Sequence, residues 1–93
     1  MEGVLWQLLA SSRGADTRVR LLRAIEDRPR NPNQLADALG MDYTTIRHHL
    51  RVLEDNNVVE ASSDDYGAVY LLTDQLRVHW DTVEEIFETV EED

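Results

Sequence analysis

The sequence predicts a mainly helical domain with one small β-hairpin, in the order helix, helix, helix, helix, strand, strand, helix. Three observations predict this fold class. Apolar residues recur at helical spacing along most of the 93-residue chain. Capping residues delimit two neighbouring helices within residues 31–56, and two apolar runs enclose a turn-forming stretch within residues 58–72. A chain of this length closes one core, so we expect residues 1–93 to form a single domain.

Two helices are predicted before the capped pair. The first covers about residues 2–11, and its apolar side chains include Val4, Leu5 and Leu8. The second covers residues 16–28, begins at the capping residue Asp16 and ends before Pro29. Its polar side carries Arg18, Arg20, Arg23 and Arg28. These arginines could contact phosphates, but ion pairs with acids on the same helix are the simpler interpretation for any one of them.

The capped pair of helices follows. Asn31 can cap the first helix, Pro32 suits its first position, and Gln34 stands three residues after the cap, which is a variant of the capping box. Gly40 fits the left-handed position after that helix, and Asp42 can cap the next helix. Two capped helices around a glycine turn are typical of a helix-turn-helix, whose second helix enters the major groove of DNA.

The second helix of the pair, residues 43–55, has two different faces. Its inward face carries Ile46, His49, Leu50 and Leu53, at the spacing of a buried stripe. The residue types of the opposite face suit DNA, because arginine can bond guanine, threonine can bond a base and tyrosine can reach a phosphate. That face carries Tyr43, Thr44, Arg47, His48 and Arg51. An ordinary solvated face is the alternative, but the capped helix and turn before it favour a helix-turn-helix over residues 31–55.

A hairpin is predicted directly after this helix, with two short strands within residues 58–72 around a turn rich in Ser, Asp and Gly. A hairpin in this place is the wing of a winged helix-turn-helix. Many wings carry arginine or lysine onto the DNA backbone, whereas this tip carries Asp64 and Asp65. A conventional contact between the wing and phosphates is therefore in doubt. Tyr66 could bond a phosphate or pack against the hairpin.

The last predicted helix begins after the capping residue Thr73 and has an apolar seam and an acidic outer face. We expect the terminal helices, residues 1–12 and 74–93, to pair across a two-fold axis in a homodimer, since one small core does not need both. The alternative is that they fold back on their own domain. The predicted interface residues are Val4, Leu5, Leu8, Leu76, Trp80, Val83, Phe87 and Val90.

The net charge of −10 is distributed unevenly, and all nine basic residues are arginine. Residues 13–51 hold eight arginines against five acids, a charge of +3, whereas residues 52–93 hold one arginine against thirteen acids, a charge of −12. An acidic composition without lysine indicates adaptation to very high salt, where the Debye length is near ~3 Å at 1 M and distant acids barely repel DNA. An acidic protein that works at ordinary salt and binds another protein is the alternative.

Other classes of protein are disfavoured by what the sequence lacks. Without cysteine there is no disulfide and no thiolate metal site, and no apolar run approaches the ~20 residues of a membrane span. The first residues lack the basic start of a signal peptide, so a cytoplasmic protein is expected. His48 and His49 point about 100° apart on a helix, and no nucleophile with a base partner is recognisable. We therefore predict neither an enzyme nor a cofactor.

The order of these elements resembles the ArsR-type winged helix-turn-helix regulators, particularly the short acidic ones of halophilic archaea. The resemblance covers nearly the whole chain and is strongest over residues 16–25 and 33–54. It implies a dimeric, sequence-specific transcription regulator. It also implies that the DNA-contacting positions are Tyr43, Thr44, Thr45, Arg47, His48 and Arg51.

The chain departs from the metal-sensing members of that family. Those members use a cysteine pair on the helix before the recognition helix, and this chain has no cysteine. Others sense metals with Asp and His on the last helix. Here that helix carries His79, Asp81, Glu84 and Glu85, but acids crowd its outer face for reasons of salt as well, and no metal site is predicted.

A second hypothesis comes from the acidic wing and the acidic last helix. It is a winged-helix module that binds another protein within a transcription or replication complex, with residues 74–93 as the surface for that partner.

Overall fold

The computed structural model describes residues 1–65 and 67–91 and confirms the predicted winged helix-turn-helix. Within those residues, no helix is both long and apolar enough to cross a bilayer. Helix α1 is continued by a π-helical turn, Gln7–Ser11. The elements are α1 Glu2–Trp6, α2 Ala15–Asp27, α3 Pro32–Leu39, α4 Tyr43–Asp55, β1 Val59–Ala61, β2 Tyr70–Leu72, α5 Asp74–Val78 and α6 Trp80–Glu91.

The helix-turn-helix forms through the predicted capping contacts. The backbone N–H of Gln34 donates to Asn31 Oδ1 at 2.8 Å, and the N–H of Asn31 donates to Gln34 Oε1 at 2.9 Å, which completes the capping box. Gly40 ends α3 in the left-handed region, at φ 68°. The side chain of Asp42 then accepts the N–H of Thr45 at 3.1 Å and starts α4. The turn therefore fixes the direction in which α4 leaves α3.

Helix α2 begins differently from the prediction. Its N-cap is Gly14, at φ 85°, and Asp16 lies exposed in the first helical turn without a capping bond. The prediction that Asp16 caps α2 is therefore wrong. A glycine in the left-handed conformation lets the chain turn sharply between the π-helical turn and α2, so the helix starts at Ala15, two residues earlier than a cap at Asp16 would allow.

The hairpin is shorter than predicted and is attached on two sides. Strand β1 pairs antiparallel with β2, with Val59 opposite Leu72 and Ala61 opposite Tyr70. On its other side, Tyr70 forms a bridge with Arg30 of the α2–α3 connection, and its N–H donates to the Arg30 carbonyl at 2.8 Å. The wing is therefore held by the chain before the helix-turn-helix as well as by its own ladder.

The terminal helices fold back on their own domain. Helix α1 packs against α6, and five of the eight predicted interface side chains lie in the core of the protomer. These five are Leu5, Leu8, Leu76, Val83 and Phe87, each 8% exposed or less. Val4 is 37% exposed, and Trp80 and Val90 are half-buried. Accessible surface for a second protomer is thus left at those three positions, and dimerisation stays a prediction.

The last predicted helix is divided in two. Thr73 caps it as predicted, with its hydroxyl accepting the Leu76 N–H at 3.0 Å. The helix then breaks at His79, whose backbone lies at φ −103° and ψ 21°, and α6 begins at Trp80. Neither glycine nor proline marks this break, so periodicity alone predicted one continuous helix.

Candidate nucleic-acid interface

The outer face of α4 is accessible and carries the side chains that the sequence predicted for DNA contact. Tyr43 is 41% exposed, and Thr44, His48 and Arg51 are exposed as well. The inner face, with Ile46 and Leu50, is fully buried. The helix therefore presents hydroxyl, imidazole and guanidinium groups to solvent from a rigid base.

The hydroxyl of Thr45 makes a contact that the sequence did not predict, beside the predicted capping bond of its backbone N–H. Its hydroxyl donates to Asp42 Oδ1 at 2.6 Å, and its backbone N–H donates to Asp42 Oδ2. The side-chain bond, followed by the backbone bond, lowers the pKa of Asp42 below its ordinary value. Thr45 is half-buried, and its contacts with Asp42 stabilise the start of α4.

Arg47 lies at the border between α4 and the hairpin. It is half-buried, and its Nη1 donates to the hydroxyl oxygen of Tyr70 at 2.8 Å. Both residues line a cleft of about 470 Å³ between the start of α3, the outer face of α4 and the wing. Three carboxylates also line this cleft, those of Glu54, Asp64 and Asp65.

The tip of the hairpin is acidic, as the sequence indicated. Asp64 and Asp65 are exposed there. Tyr66, for which the sequence left two roles open, lies outside the described residues. The described part of the tip offers no cation for a phosphate, so the positive charge near the cleft comes from α4.

A buried polar cluster supports α4 from behind. Arg18 is only 4% exposed and His49 only 8%. Arg18 donates to the Leu8 carbonyl at 2.8 Å, to Ser12 Oγ at 2.6 Å and to the Arg13 carbonyl at 3.0 Å. Its Nη1 also lies 3.3 Å from His49 Nδ1. This cluster joins the end of the π-helical turn, α2 and α4.

The cluster sets the protonation state of His49. A guanidinium offers no acceptor, so the contact with Arg18 is a hydrogen bond only when Nδ1 of His49 accepts, which assigns the proton of the neutral ring to Nε2. Burial lowers the pKa of His49, and the positive charge of Arg18 lowers it further. Burial likewise lowers the pKa of Arg18, with a smaller opposing effect from Asp16.

Sequence reasoning placed Arg18 on the wrong side of α2. It stands three and four residues before Leu21 and Leu22, which is the spacing of the buried stripe, and that signal was available. The other arginines of α2 differ among themselves. Arg20 donates to the Leu39 carbonyl at 2.7 Å, Arg23 pairs with Glu91 and lies over the ring of Phe87, and Arg28 is exposed.

The ion pairs that α2 forms in the described part of the chain have partners outside the helix. Asp27 pairs with Arg30, beyond the end of the helix, at 3.1 Å. On the last helices, His79 Nδ1 lies 3.9 Å from a carboxylate oxygen of Glu2. Among residues 1–65 and 67–91, no three His, Asp or Glu side chains are grouped so that they could hold a metal ion.

Comparisons with known proteins agree with this architecture. The family model described as "Bacterial regulatory protein, arsR family" matches residues 15–61, just over half of the chain, from α2 to β1. A search among curated proteins gave no match.

Solved structures of three regulators are similar to the chain. The transcriptional repressor BigR from Xylella fastidiosa has 20% identity and a TM-score of 0.73, over 98% of this chain and 87% of that one. The transcriptional regulator BldR from Sulfolobus solfataricus has 16% identity and a TM-score of 0.71, over 96% and 65%. The antimony-specific transcriptional repressor AntR has 27% identity and a TM-score of 0.66, over 92% and 79%. The chain therefore belongs to the arsR family of regulatory proteins and is a DNA-binding regulator of transcription.

Proposed function

We propose that the protein is a sequence-specific regulator that binds DNA as a homodimer at high salt, with the outer face of α4 in the major groove. The observation that carries this proposal is the exposed row of Tyr43, Thr44, His48 and Arg51 on a helix whose inner face is fully packed. Arg47 extends this row toward the cleft. A rigid helix with accessible donors is what direct readout of base edges requires.

High salt is proposed because of where the acids lie. The outer face of α6 exposes Asp81, Glu84, Glu85 and Glu88, and the wing tip exposes two more carboxylates. In dilute salt these charges would repel DNA over the whole molecule. At 1 M salt the Debye length falls to about 3 Å, so α4 and its hydrogen bonds would act almost independently of them. We propose accordingly that the protein works in a cytoplasm rich in salt.

A homodimer is proposed because two recognition helices are needed for a two-fold operator. Val4, Trp80 and Val90 keep accessible apolar surface on the terminal helices, and we propose that they meet the second protomer. In such a dimer the two copies of α4 would reach half-sites about 34–36 Å apart.

The first test is selection from a random DNA pool, followed by fluorescence anisotropy with the enriched sequences in ~2 M KCl and again in roughly 0.2 M, because salt separates electrostatic from specific binding. We expect a two-fold-symmetric site to be enriched at high salt, and sedimentation to give a dimer. A folded protein that enriches no sequence at either salt would contradict the proposal and favour a protein-binding module that uses the acidic face of α6.

The assignment of the α4 face is tested by two substitutions and a matched control. Arg47→Ala and Arg51→Ala should each weaken binding to the selected site by about 1–3 kcal/mol, if they bond base edges. Arg77→Ala removes the same charge from an exposed position on α5. It should leave the affinity nearly unchanged, whereas equal losses in all three variants would indicate a general effect of charge.

A further inference from the structure

We propose that Tyr70 of the wing determines sequence specificity by positioning Arg47. The hydroxyl of Tyr70 accepts a hydrogen bond from Arg47 Nη1 at 2.8 Å. In this proposal, the bond holds the guanidinium in the orientation in which it bonds a base. The inference rests on the proposed function of α4. It makes the wing act on DNA through the recognition helix.

Tyr70 is a rigid support for this contact. Its side chain is only 4% exposed, so its ring is held by the core. Its backbone is paired on both sides, with Ala61 in the ladder and with Arg30 through a bond of 2.8 Å. An acceptor held so firmly restricts the rotamers of the long arginine side chain before DNA arrives, which reduces the entropy lost on binding.

The contact with Tyr70 leaves Arg47 able to bind a second group. It uses one N–H, and a guanidinium has five donors in a planar fork. Two of the remaining donors can still reach the O6 and N7 atoms of a guanine. Arg47 is half-buried at the edge of the cleft, so the fork has access to solvent on one side.

The chemistry of Tyr70 also matters because the same cleft is bordered by Glu54, Asp64 and Asp65. An arginine free to rotate could pair with any of these carboxylates, and its charge would then be neutralised before DNA binds. A phenol hydroxyl is a neutral acceptor at neutral pH. It fixes the guanidinium without cancelling the charge, and this leaves Arg47 available to the nucleic acid.

The test compares Tyr70→Phe with Tyr43→Phe on the selected operator and on operators with one base pair changed. Tyr70→Phe should weaken binding to the operator by about 3-fold to 10-fold, the range of one net hydrogen bond. Discrimination should relax at the base pair that Arg47→Ala also affects. Tyr43→Phe removes an exposed hydroxyl from the same surface, and it should change affinity equally for all sequences.

A double-mutant cycle separates positioning from a merely structural role. In the Arg47→Ala background, Tyr70→Phe should have no further effect on affinity or discrimination. If Tyr70→Phe weakens binding equally in both backgrounds, or leaves discrimination unchanged, the positioning role is overturned. If Arg47→Ala itself leaves DNA binding unchanged, the assignment of Arg47 as a DNA contact fails first.

A measurement without DNA completes the test. In the free protein, ¹⁵N NMR of the Arg47 guanidinium should show restricted rotation in the wild type and fast rotation in Tyr70→Phe. Equal mobility in the two proteins, with the fold intact by thermal denaturation, would overturn the inference whatever the DNA experiments give.

Discussion

Arg18 and Arg47 lie on opposite sides of α4, and their hydrogen bonds differ. Behind the helix, Arg18 is 4% exposed, donates to three oxygens at the α1–α2 corner and faces His49. In front of it, Arg47 is half-buried and donates to the hydroxyl of Tyr70. The first arginine uses its donors to join three elements of the protein. The second stands at a cleft with donors left for a ligand. Burial and the number of internal partners, rather than residue type, separate an arginine with a structural role from one that we propose binds DNA.

The largest effect on stability is expected at Arg18. Arg18→Met should lower the free energy of unfolding by about 3 kcal/mol, because it leaves the buried Leu8 carbonyl and two partly buried acceptors without their donor. Arg23→Met is the matched control. Its exposed ion pair with Glu91 and its contact with Phe87 should contribute about 1 kcal/mol or less. Chemical denaturation at high salt measures both, and equal losses would show that the corner is not a special site.

Substitutions at two glycines test how closely His49 packs against the α1–α2 corner. Both have a left-handed backbone, Gly14 at φ 85° and Gly40 at φ 68°. A Cβ at Gly14 would lie 2.6 Å from His49 Cε1 and 3.2 Å from Arg18 Nη1, whereas a Cβ at Gly40 would meet nothing within 4 Å.

Gly40→Ala should therefore cost about 1 kcal/mol from the backbone alone, and Gly14→Ala about 2–3 kcal/mol, because the crowding is added. Thermal denaturation of the two variants gives the difference. If Gly40→Ala were the more damaging of the two, the contact between the corner and α4 would have to be looser than the distances indicate.

Acidification should also lower the free energy of unfolding, but by less than Arg18→Met or Gly14→Ala. The pKa of His49 lies below its ordinary value of 6.5, because of burial and the charge of Arg18. As the pH falls through 6.5, the unfolded chain takes up a proton that the folded protein does not, so stability decreases with falling pH until the lower folded pKa is reached. Above about pH 7.5 both states are neutral at this residue, and the effect vanishes.

His49→Gln provides the comparison for this pH dependence, because glutamine can accept from Arg18 without titrating. Denaturation midpoints between pH 7.5 and 5.5 should fall more for the wild type than for His49→Gln. The surrounding ionisable groups, Arg18, His48 and Asp16, are present in both proteins. Parallel pH profiles would show that the imidazole carries no stability linked to protons.

The sequence predicted the helix-turn-helix almost residue by residue, because its signals are local. Asn31, Gly40 and Asp42 act on backbone groups within four residues, and each appears where its chemistry requires. The wing was predicted for the same reason, although its strands are shorter. Local capping and turn signals were therefore sufficient to predict most of the fold.

What the sequence could not predict depends on contacts between distant residues. The bond from Arg47 to Tyr70 spans 23 positions, and the approach of Arg18 to His49 spans 31. The terminal helices showed the same limit. An apolar seam has to be buried, but periodicity does not indicate whether it packs against the same chain or against a second copy. In the structure, Leu5, Leu76 and Phe87 lie in the core of their own protomer.

The smallest effect on stability, and a clear effect on function, is expected on the outer face of α4. Arg51 is exposed, so Arg51→Gln should change the free energy of unfolding by no more than about 0.5 kcal/mol. The same change should weaken binding to the operator, because a neutral amide cannot replace the charged fork on a guanine. Arg18→Met should have the opposite effect. It should lower stability strongly and weaken DNA binding only because it destabilises the fold. Denaturation and anisotropy on both variants measure the contrast, and a large loss of stability in Arg51→Gln would contradict the division between the two faces of the helix.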